Sequence, residues 1–505
     1  MKMDTSSLCE KAPHVGVAAA AAVGIISLVW LCYHTLNGTR SCGPRVWPMA
    51  GMLPSVFYHL NDIYNWTTQM LAECEGTLRF KPPWMSNMLS LVTADPKNIE
   101  YILKTKFGSF PKGAHYQSVF YDLLGDGILN IDGSQWERAR KSMSSIIHSP
   151  TFKDMMIHTI QQSVESKLLP LVDTLSRTGE MVDLQGLLVR FGLDNMTMLS
   201  FGVDLGSLTA TKAHSEILQA IEEALDATVR RFILPSVVWK SMRYLGLGPE
   251  GKLKASLQII NGFVASVIAC RRKKVRRSDF QGQDILSTMM RSEYEMKDEA
   301  LRDAALNFVL AGRDTTSIAL CWFFCLLSKH PLAEENILLE IRQIRRNRAK
   351  LSMEEVKEMH YLQAALAETL RLYPSLPINW KQARKEEVLP DGTRLKKGSN
   401  LIFPIYSMGR MEWIWGQDCA DFKPERWLKG GVFVGEAGFK YPVFNAGPRV
   451  CLGKDFAFLQ MKWVVASLLP RYRIQLLNID RISQPQLGIT LGFAKGLPVT
   501  IHPRH

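Results

Sequence analysis

Cysteine is scarce and unpaired in this sequence: nine residues among 505, an odd number with no Cys-x-x-Cys spacing. The pattern argues against a disulfide framework and a structural zinc site, and for reduced thiols on the cytosolic side of a membrane. Cys321 and Cys325, one helical turn apart, read as small buried residues rather than a metal pair. No His-Glu-x-x-His or Gly-x-Ser-x-Gly occurs, which removes the zinc-protease and α/β-hydrolase readings. Internal repeats and low-complexity tracts are missing too, so a solenoid is excluded. The run Gly246-Leu247-Gly248-Pro249-Glu250-Gly251-Lys252 imitates a nucleotide loop, but Leu253 stands where a P-loop needs Ser or Thr. Arg271 and Arg272 stand where a ribose-binding acid would fall, so the run reads as an ordinary loop. Acidic surplus is also absent: 61 basic residues face 48 acidic ones, a net +13. The basic clusters at 271–277 and 342–350 carry no interleaved aromatics, so they read as solvated faces and not as a nucleic-acid site.

What is present is apolar: 47% of the residues are hydrophobic, enough for a large core. Residues 15–33 contain no Lys, Arg, Asp or Glu, and the uncharged stretch runs to Thr39. That approaches the roughly 20 residues a bilayer-spanning helix needs. Residues 1–39 are therefore expected to be an uncleaved transmembrane anchor. Residues 40–55, with Pro44, Pro48 and Pro54, form a stiff linker, and 56–505 one large domain. The body reads as mainly α, an α+β fold with small sheets beside a helical bulk. Helices are expected over 296–329, 353–372 and 454–469, ended by Pro331, Pro374 and Pro470, and strands over 77–80, 89–93, 400–405 and 490–493. Leu234, Val237, Val238, Trp239 and Tyr244 alternate with Arg230, Arg231, Lys240 and Arg243. This mix suits either a second lipid contact or an amphipathic core helix.

The decamer Phe444-Asn445-Ala446-Gly447-Pro448-Arg449-Val450-Cys451-Leu452-Gly453 sets one cysteine in a Gly/Pro loop, three residues before a long apolar segment. A thiolate there would lie near a helix N-terminus, whose dipole and N–H groups lower its pKa. The run resembles the haem-ligand signature of cytochromes P-450 at every fixed position. Within that resemblance Cys451 is the axial ligand of haem b iron, a thiolate that favours O–O cleavage. Phe444, Ala311 and Gly312 border the haem, and Trp136, Arg140, Lys381 and Arg449 reach its propionates. Ala311-Gly312-Arg313-Asp314-Thr315-Thr316 breaks the apolar pattern of a long helix. Its threonines can bond one turn back and open a groove. The resemblance puts dioxygen there, with Asp314 and Thr315 relaying protons; the plain alternative is a salt bridge at Asp314 and packing at the threonines. Glu368 and Arg371 share a helix face and, with Arg426, match the family's buried lock on the cysteine loop.

Pro111-Lys112-Gly113, Leu124-Gly125-Asp126-Gly127-Ile128, Tyr406-Ser407-Met408-Gly409-Arg410-Met411-Glu412 and Met461-Lys462 are similar to words of the land-plant fatty-acid ω-hydroxylase clan. Asn379 and Trp380 depart from the expected Asp and His, and Gly492 sits in an expected substrate-contact turn. The resemblance implies hydroxylation of the ω-carbon of a long-chain fatty acid. NADPH would act indirectly, through a cytochrome P-450 reductase, and Phe308, Ala311, Leu376 and Ile378 would wall a narrow hydrophobic channel. It also implies an endoplasmic-reticulum anchor with a cytosolic body, and hence unmodified sequons at Asn37, Asn65 and Asn195. Alkanes, sterols or terpenoids are alternative substrates. A haem-thiolate isomerase or dehydratase would not need the Asp314–Thr315 pair, and a non-enzymatic haem sensor would leave it without purpose.

Overall fold

The computed structural model describes residues 23–30, 42–47, 50–81, 90–208, 212–275, 280–291, 296–345, 351–477, 485 and 487–504. The helices that frame the site are α1 (Gly113–Leu124), α2 (Gly133–Ile147), α3 (Leu184–Phe201), α4 (Lys212–Ile233), α5 (Ser236–Leu245), α6 (Gly248–Val275), α7 (Asp298–Leu327), α8 (His360–Leu372) and α9 (Lys454–Leu468). The expected mainly α architecture is found. α7 is the central member: from Thr316 to Leu327 every residue is buried. Its contact with α3 depends on two glycines. A Cβ on Gly192 would lie 2.7 Å from Arg313 O and Ser317 Oγ, and one on Gly312 would collide with Met196. Ser317 Oγ donates to Leu188 O across the same interface at 2.8 Å. Where α7 meets the C-terminal chain, Trp322 stacks on Tyr373 and Phe493 at 3.8 and 4.2 Å.

The sheets are small. β1 (Thr77–Phe80), β2 (Ser90–Thr93), β3 (Val182–Asp183), β4 (Ile378–Gln382), β5 (Glu387–Val388), β6 (Arg394–Leu395), β7 (Asn400–Pro404), β8 (Leu428–Lys429), β9 (Val432–Phe433), β10 (Tyr472–Leu476) and β11 (Pro498–Pro503) form four of them. The largest has the order β1-β2-β7-β4, parallel only between β2 and β7. Its register pairs Lys381 with Leu401. Because side chains alternate along a strand, Lys381 shares a face of β4 with Asn379, opposite Ile378 and Trp380.

Several expectations need correction. Residues 490–493 form no strand: Leu491 gives its N–H to Ser375 O at 3.0 Å and its carbonyl accepts Trp322 Nε1 at 2.6 Å. Phe493 makes one isolated bridge to Pro485. The single helix over 353–372 is two, Met353–Glu358 and α8, because Met359 leaves the helical region at ψ 83°. The nucleotide-loop imitation is a loop only at its start; Gly248 begins α6, and Glu250 is buried against Arg231 at 2.7 Å. The cluster at 271–277 is not simply solvated. Buried Arg271 pairs with Asp284 at 3.0 Å and Arg272 with Asp298 at 2.6 Å, tying α6 to neighbouring segments. Residues 276–279 and 346–350 lie outside the described residues.

The cysteine reading is overturned for one pair, while Cys270, Cys321, Cys325, Cys419 and Cys451 are the free thiols it expects. Cys42 and Cys74 are disulfide-bonded, joining the segment after the expected anchor to the helix Ile63–Glu73. A sequence separation of 32 gave no spacing signal for that pair. Of the expected anchor, residues 23–30 are helical, with Val23, Ile25, Ile26, Leu28 and Val29 exposed; the remainder lies outside the described residues. α6 and α7 are long and apolar enough to cross a bilayer, though α7 is largely buried in the protein. The mixed segment around residue 239 is α5, with Val237, Val238, Tyr244 and Leu245 exposed and Trp239 buried beneath Arg231 at 4.6 Å. Asn195 is wholly buried in α3, and Asn65 is exposed and accepts from Tyr406 Oη at 2.9 Å. Asn37 lies outside the described residues.

Candidate active site

The cysteine loop is shaped by two left-handed residues. Asn445 has φ 60° and steadies itself by accepting Ala446 N–H at 2.8 Å through Oδ1. Gly447 has φ 63°, and a Cβ there would strike Leu103 O, so only glycine suits it. Cys451 N–H donates to Phe444 O at 2.8 Å, and α9 starts three residues later. Phe444 packs on Phe458 at 5.2 Å, which holds the loop against α9.

The expected lowering of the Cys451 pKa is reversed. Burial pushes the thiol up, outweighing the Gly453 backbone hydrogen bond and the charges of Arg140 and Lys454, which pull it down. Yet Cys451 remains exposed at its loop. Apolar side chains on the neighbouring elements are exposed too: Leu376 is 41% exposed, Ile378 46% and Val450 39%. Ala311 is exposed among buried and half-buried residues of α7, and Phe308, half-buried one turn earlier, packs on Phe152 at 6.2 Å. Gly492 does not join this wall; it is buried, with Gln185 and Ile318 next to it.

A cationic cluster lies where the cysteine loop meets α1, α2 and β4. Arg449 Nη2 donates to Ile131 O and to Asp132 Oδ1, both at 2.8 Å, and its guanidinium sits 4.3 Å over the Trp136 ring. Lys381 is 1% exposed and rests 5.6 Å over Phe107, whose ring is 5.4 Å from Trp136. Burial, reinforced by Arg449 and opposed by Asp132, lowers the Lys381 pKa to about 7. Lys112, which the sequence reading quoted but did not place in the site, joins them. Burial holds it well below the usual lysine range, with Arg449 and Lys381 adding to the effect and Asp132 opposing it. Its Nζ donates to Leu129 O and, at 3.3 Å, to Tyr116 Oη. Arg140, half-buried on α2, is also lowered by burial and is coupled to Cys451. Lys381 Nζ and Arg449 Nε are buried without an acceptor among the described residues. Among the described residues, Asp132 is the one carboxylate that acts on Lys112, Lys381 and Arg449. A buried surplus of positive charge is costly unless anions join it. A flat ring bearing two carboxylates, set against an accessible sulfur, meets that need, so the residues fit haem.

On α7, Thr315 Oγ1 donates to Ala311 O at 2.7 Å and Thr316 Oγ1 to Gly312 O at 2.9 Å, the back-bonding expected from the sequence. The helix stays continuous through both. Gly312 is turned toward Met196. Asp314 makes the plain salt bridge, to Arg313 Nη1 at 3.2 Å, and Arg313 Nη2 reaches Glu222 of α4 at 3.1 Å. Ser375 Oγ donates to Thr315 O at 2.6 Å, linking α7 to the open apolar wall at Leu376.

Glu368 collects donors. Arg371 Nε and Nη2 reach its two oxygens at 2.7 and 2.8 Å, Trp427 Nε1 at 2.9 Å, Lys423 N at 3.0 Å and Arg426 Nε at 3.3 Å. Arg371 also donates to Gly409 O, Cys419 O and Asp421 O, and Arg426 to Trp415 O and Asp418. The structure brings all three residues of the suggested lock together.

The sequence profile of the cytochrome P450 family matches residues 43–495. The chain belongs to the cytochrome P450 family. Among its relatives is cytochrome P450 86B1 of Arabidopsis thaliana, 42% identical over 94% of this chain and 89% of the relative. The alkane hydroxylase MAH1 of the same plant is 36% identical over 90% of this chain and 92% of its own. Cytochrome P450 94A1 of Vicia sativa is 33% identical over 91% of this chain and 90% of the relative. As a P450 the chain is a haem-dependent monooxygenase.

Proposed function

We propose that this P450 hydroxylates the terminal carbon of a long-chain fatty acid. The observation that carries the reading is the strip of open apolar side chains, Ala311, Leu376, Ile378 and Val450, on the elements around Cys451. The similarity of Lys112-Gly113 and the other quoted words to the plant ω-hydroxylase clan narrows it from any apolar chain to a fatty acid. Cys451 would hold the iron, and Arg449, Lys381, Lys112, Arg140 and Trp136 would seat the propionates. Haem, when bound, supplies O2 activation and insertion of one oxygen atom into a C–H bond. Glu368, Arg371 and Arg426 would lock the fold behind the cysteine loop.

Thr315 Oγ1 donates to Ala311 O, so its lone pairs are free to accept a hydrogen bond, and it would pass its own proton on by turning away from that carbonyl as it takes another on a lone pair. Asp314 would recharge it once its hold on Arg313 loosens. A terminal C–H is stronger than its neighbours, so the residues must achieve terminal attack by presenting only the chain end. Electrons would come from NADPH through a reductase partner, with residues 1–39 tethering a cytosol-facing body to the endoplasmic reticulum. The exposed apolar face of α5 suits a second contact with lipid.

An alkane substrate is the second reading, favoured by the relative named as an alkane hydroxylase. Incubating the holoprotein with reductase, NADPH, long-chain fatty acids and alkanes of matching length separates the two. ω-Hydroxy acids are expected, alkanols would favour the second reading, and no oxygenated product from either would overturn both. Thr315→Ala should retain haem and substrate binding while diverting NADPH electrons to peroxide, measured as product formed per NADPH consumed. Unchanged coupling would remove Thr315 from the relay.

A further inference from the structure

Arg313 is 1% exposed and is shared by two carboxylates, Asp314 on its own helix and Glu222 on α4. Its third donor, Nε, has no acceptor among the described residues, so no third partner there fixes the guanidinium. Asp314 is 13% exposed and Glu222 59%, so the chain of charges runs from the core of α7 to a water-accessible group. Burial still raises the Glu222 carboxyl, with Arg313 pulling it down and Asp314 pushing it up, and Arg190 of α3 lowering it as well. The other acids of this stretch of α4 are engaged elsewhere, Glu223 with Ser256 and Asp226 with Arg230.

We propose that Glu222 is a positioning residue for proton delivery: by holding Nη2 of Arg313 it sets how tightly Asp314 is bound, and so how readily Asp314 exchanges a proton with Thr315. The inference rests on the proton-relay reading of Asp314 and Thr315. With Glu222 neutralised, Arg313 belongs to Asp314 alone, and a carboxylate held by an undivided guanidinium gives and takes protons less readily. Protonation of Glu222 at low pH does the same, so wild-type coupling should fall on the acid side as that carboxyl gains its proton.

The test uses the holoprotein with reductase, NADPH and palmitate, or hexadecane if only the alkane is turned over. Product and peroxide are measured per NADPH across pH for wild type, Glu222→Gln, Glu222→Asp and Asp314→Asn. Glu222→Gln is expected to lower coupling several-fold, to lose the acid limb, and to leave the substrate-induced Soret shift and Tm unchanged. Glu222→Asp should restore part of the coupling. Wild-type coupling in Glu222→Gln beside a strongly uncoupled Asp314→Asn would overturn the role of Glu222 and leave the relay standing. Full coupling in Asp314→Asn would overturn the relay and this inference with it.

Discussion

Two buried clusters of charge in this protein obey opposite rules. Around Glu368, the arginines Arg371 and Arg426, the Trp427 indole and the Lys423 amide converge on one carboxylate, and the remaining guanidinium donors find backbone oxygens and the Asp418 carboxylate. Around Asp132, three cations meet one carboxylate, and Lys381 Nζ and Arg449 Nε are left without acceptors among the described residues. The first cluster is satisfied within the described residues, as a brace would be. The second is complete only with anions that the described residues do not supply, and it lies beside an accessible cysteine. Imbalance, more than burial, separates a ligand seat from a brace.

Breaking the closed cluster should have the largest effect. Glu368→Gln keeps the volume but offers an amide to donors, leaving Arg371 buried without its counter-charge. The loss should be about 3–5 kcal/mol, seen as a steep fall in Tm or in recovered folded protein. A Tm within error of wild type would refute the brace.

The open cluster should respond in the other direction. Lys381→Met removes a cation that the apoprotein cannot pair, so the apoprotein should be as stable as wild type or more so, while the holoprotein loses haem faster to an apomyoglobin trap. The pH dependence has a definite sign. The folded pKa of Lys381 is about 7, below its ordinary value of 10.5. Between those values the unfolded chain binds a proton that the folded one does not, so this residue makes apoprotein stability rise with pH across that window. Below about 7 both states are protonated and the contribution is flat. Lys381→Met should remove this share of the rise in denaturant titrations; an unchanged slope would count against a buried, unpaired lysine.

Cys321 supplies the uncharged limit of the comparison and the smallest effect. It is fully buried, and burial raises its thiol well above the usual range. Cys321→Ala should cost only a packing increment of about 1 kcal/mol in Tm-derived stability and leave the haem spectrum unchanged. A changed spectrum would give that thiol a part in the site.

The parts of this contrast that could be read from sequence were those written in local spacing. Glu368 and Arg371 three apart, Trp136 and Arg140 four apart, and Cys451 in its loop announced themselves, and prolines marked where long helices stop. Long-range partnerships left no such mark. Lys112 enters the cationic cluster because α1 packs near β4, and Glu222 meets Arg313 only because α4 crosses α7. The Cys42–Cys74 bond joins residues 32 apart, and Arg271 looked like part of a solvated basic run because its partner Asp284 lies well past the end of α6 in the sequence. Residues 490–493 have strand-forming composition, but Ser375 and Trp322 claim the backbone that a neighbouring strand would have used. The break at Met359 involves neither proline nor glycine; Ser352 and Glu355 cap the short helix before it, leaving α8 to start anew.

Cys451 would carry the iron on the open side of this charge contrast. The ferrous–CO spectrum tests it most directly. Wild type and Cys321→Ala should show the red-shifted Soret band of thiolate-ligated haem, and Cys451→Ser should lack it while keeping the folded protein's far-ultraviolet circular dichroism. Persistence of that band with serine at position 451 would contradict the assignment.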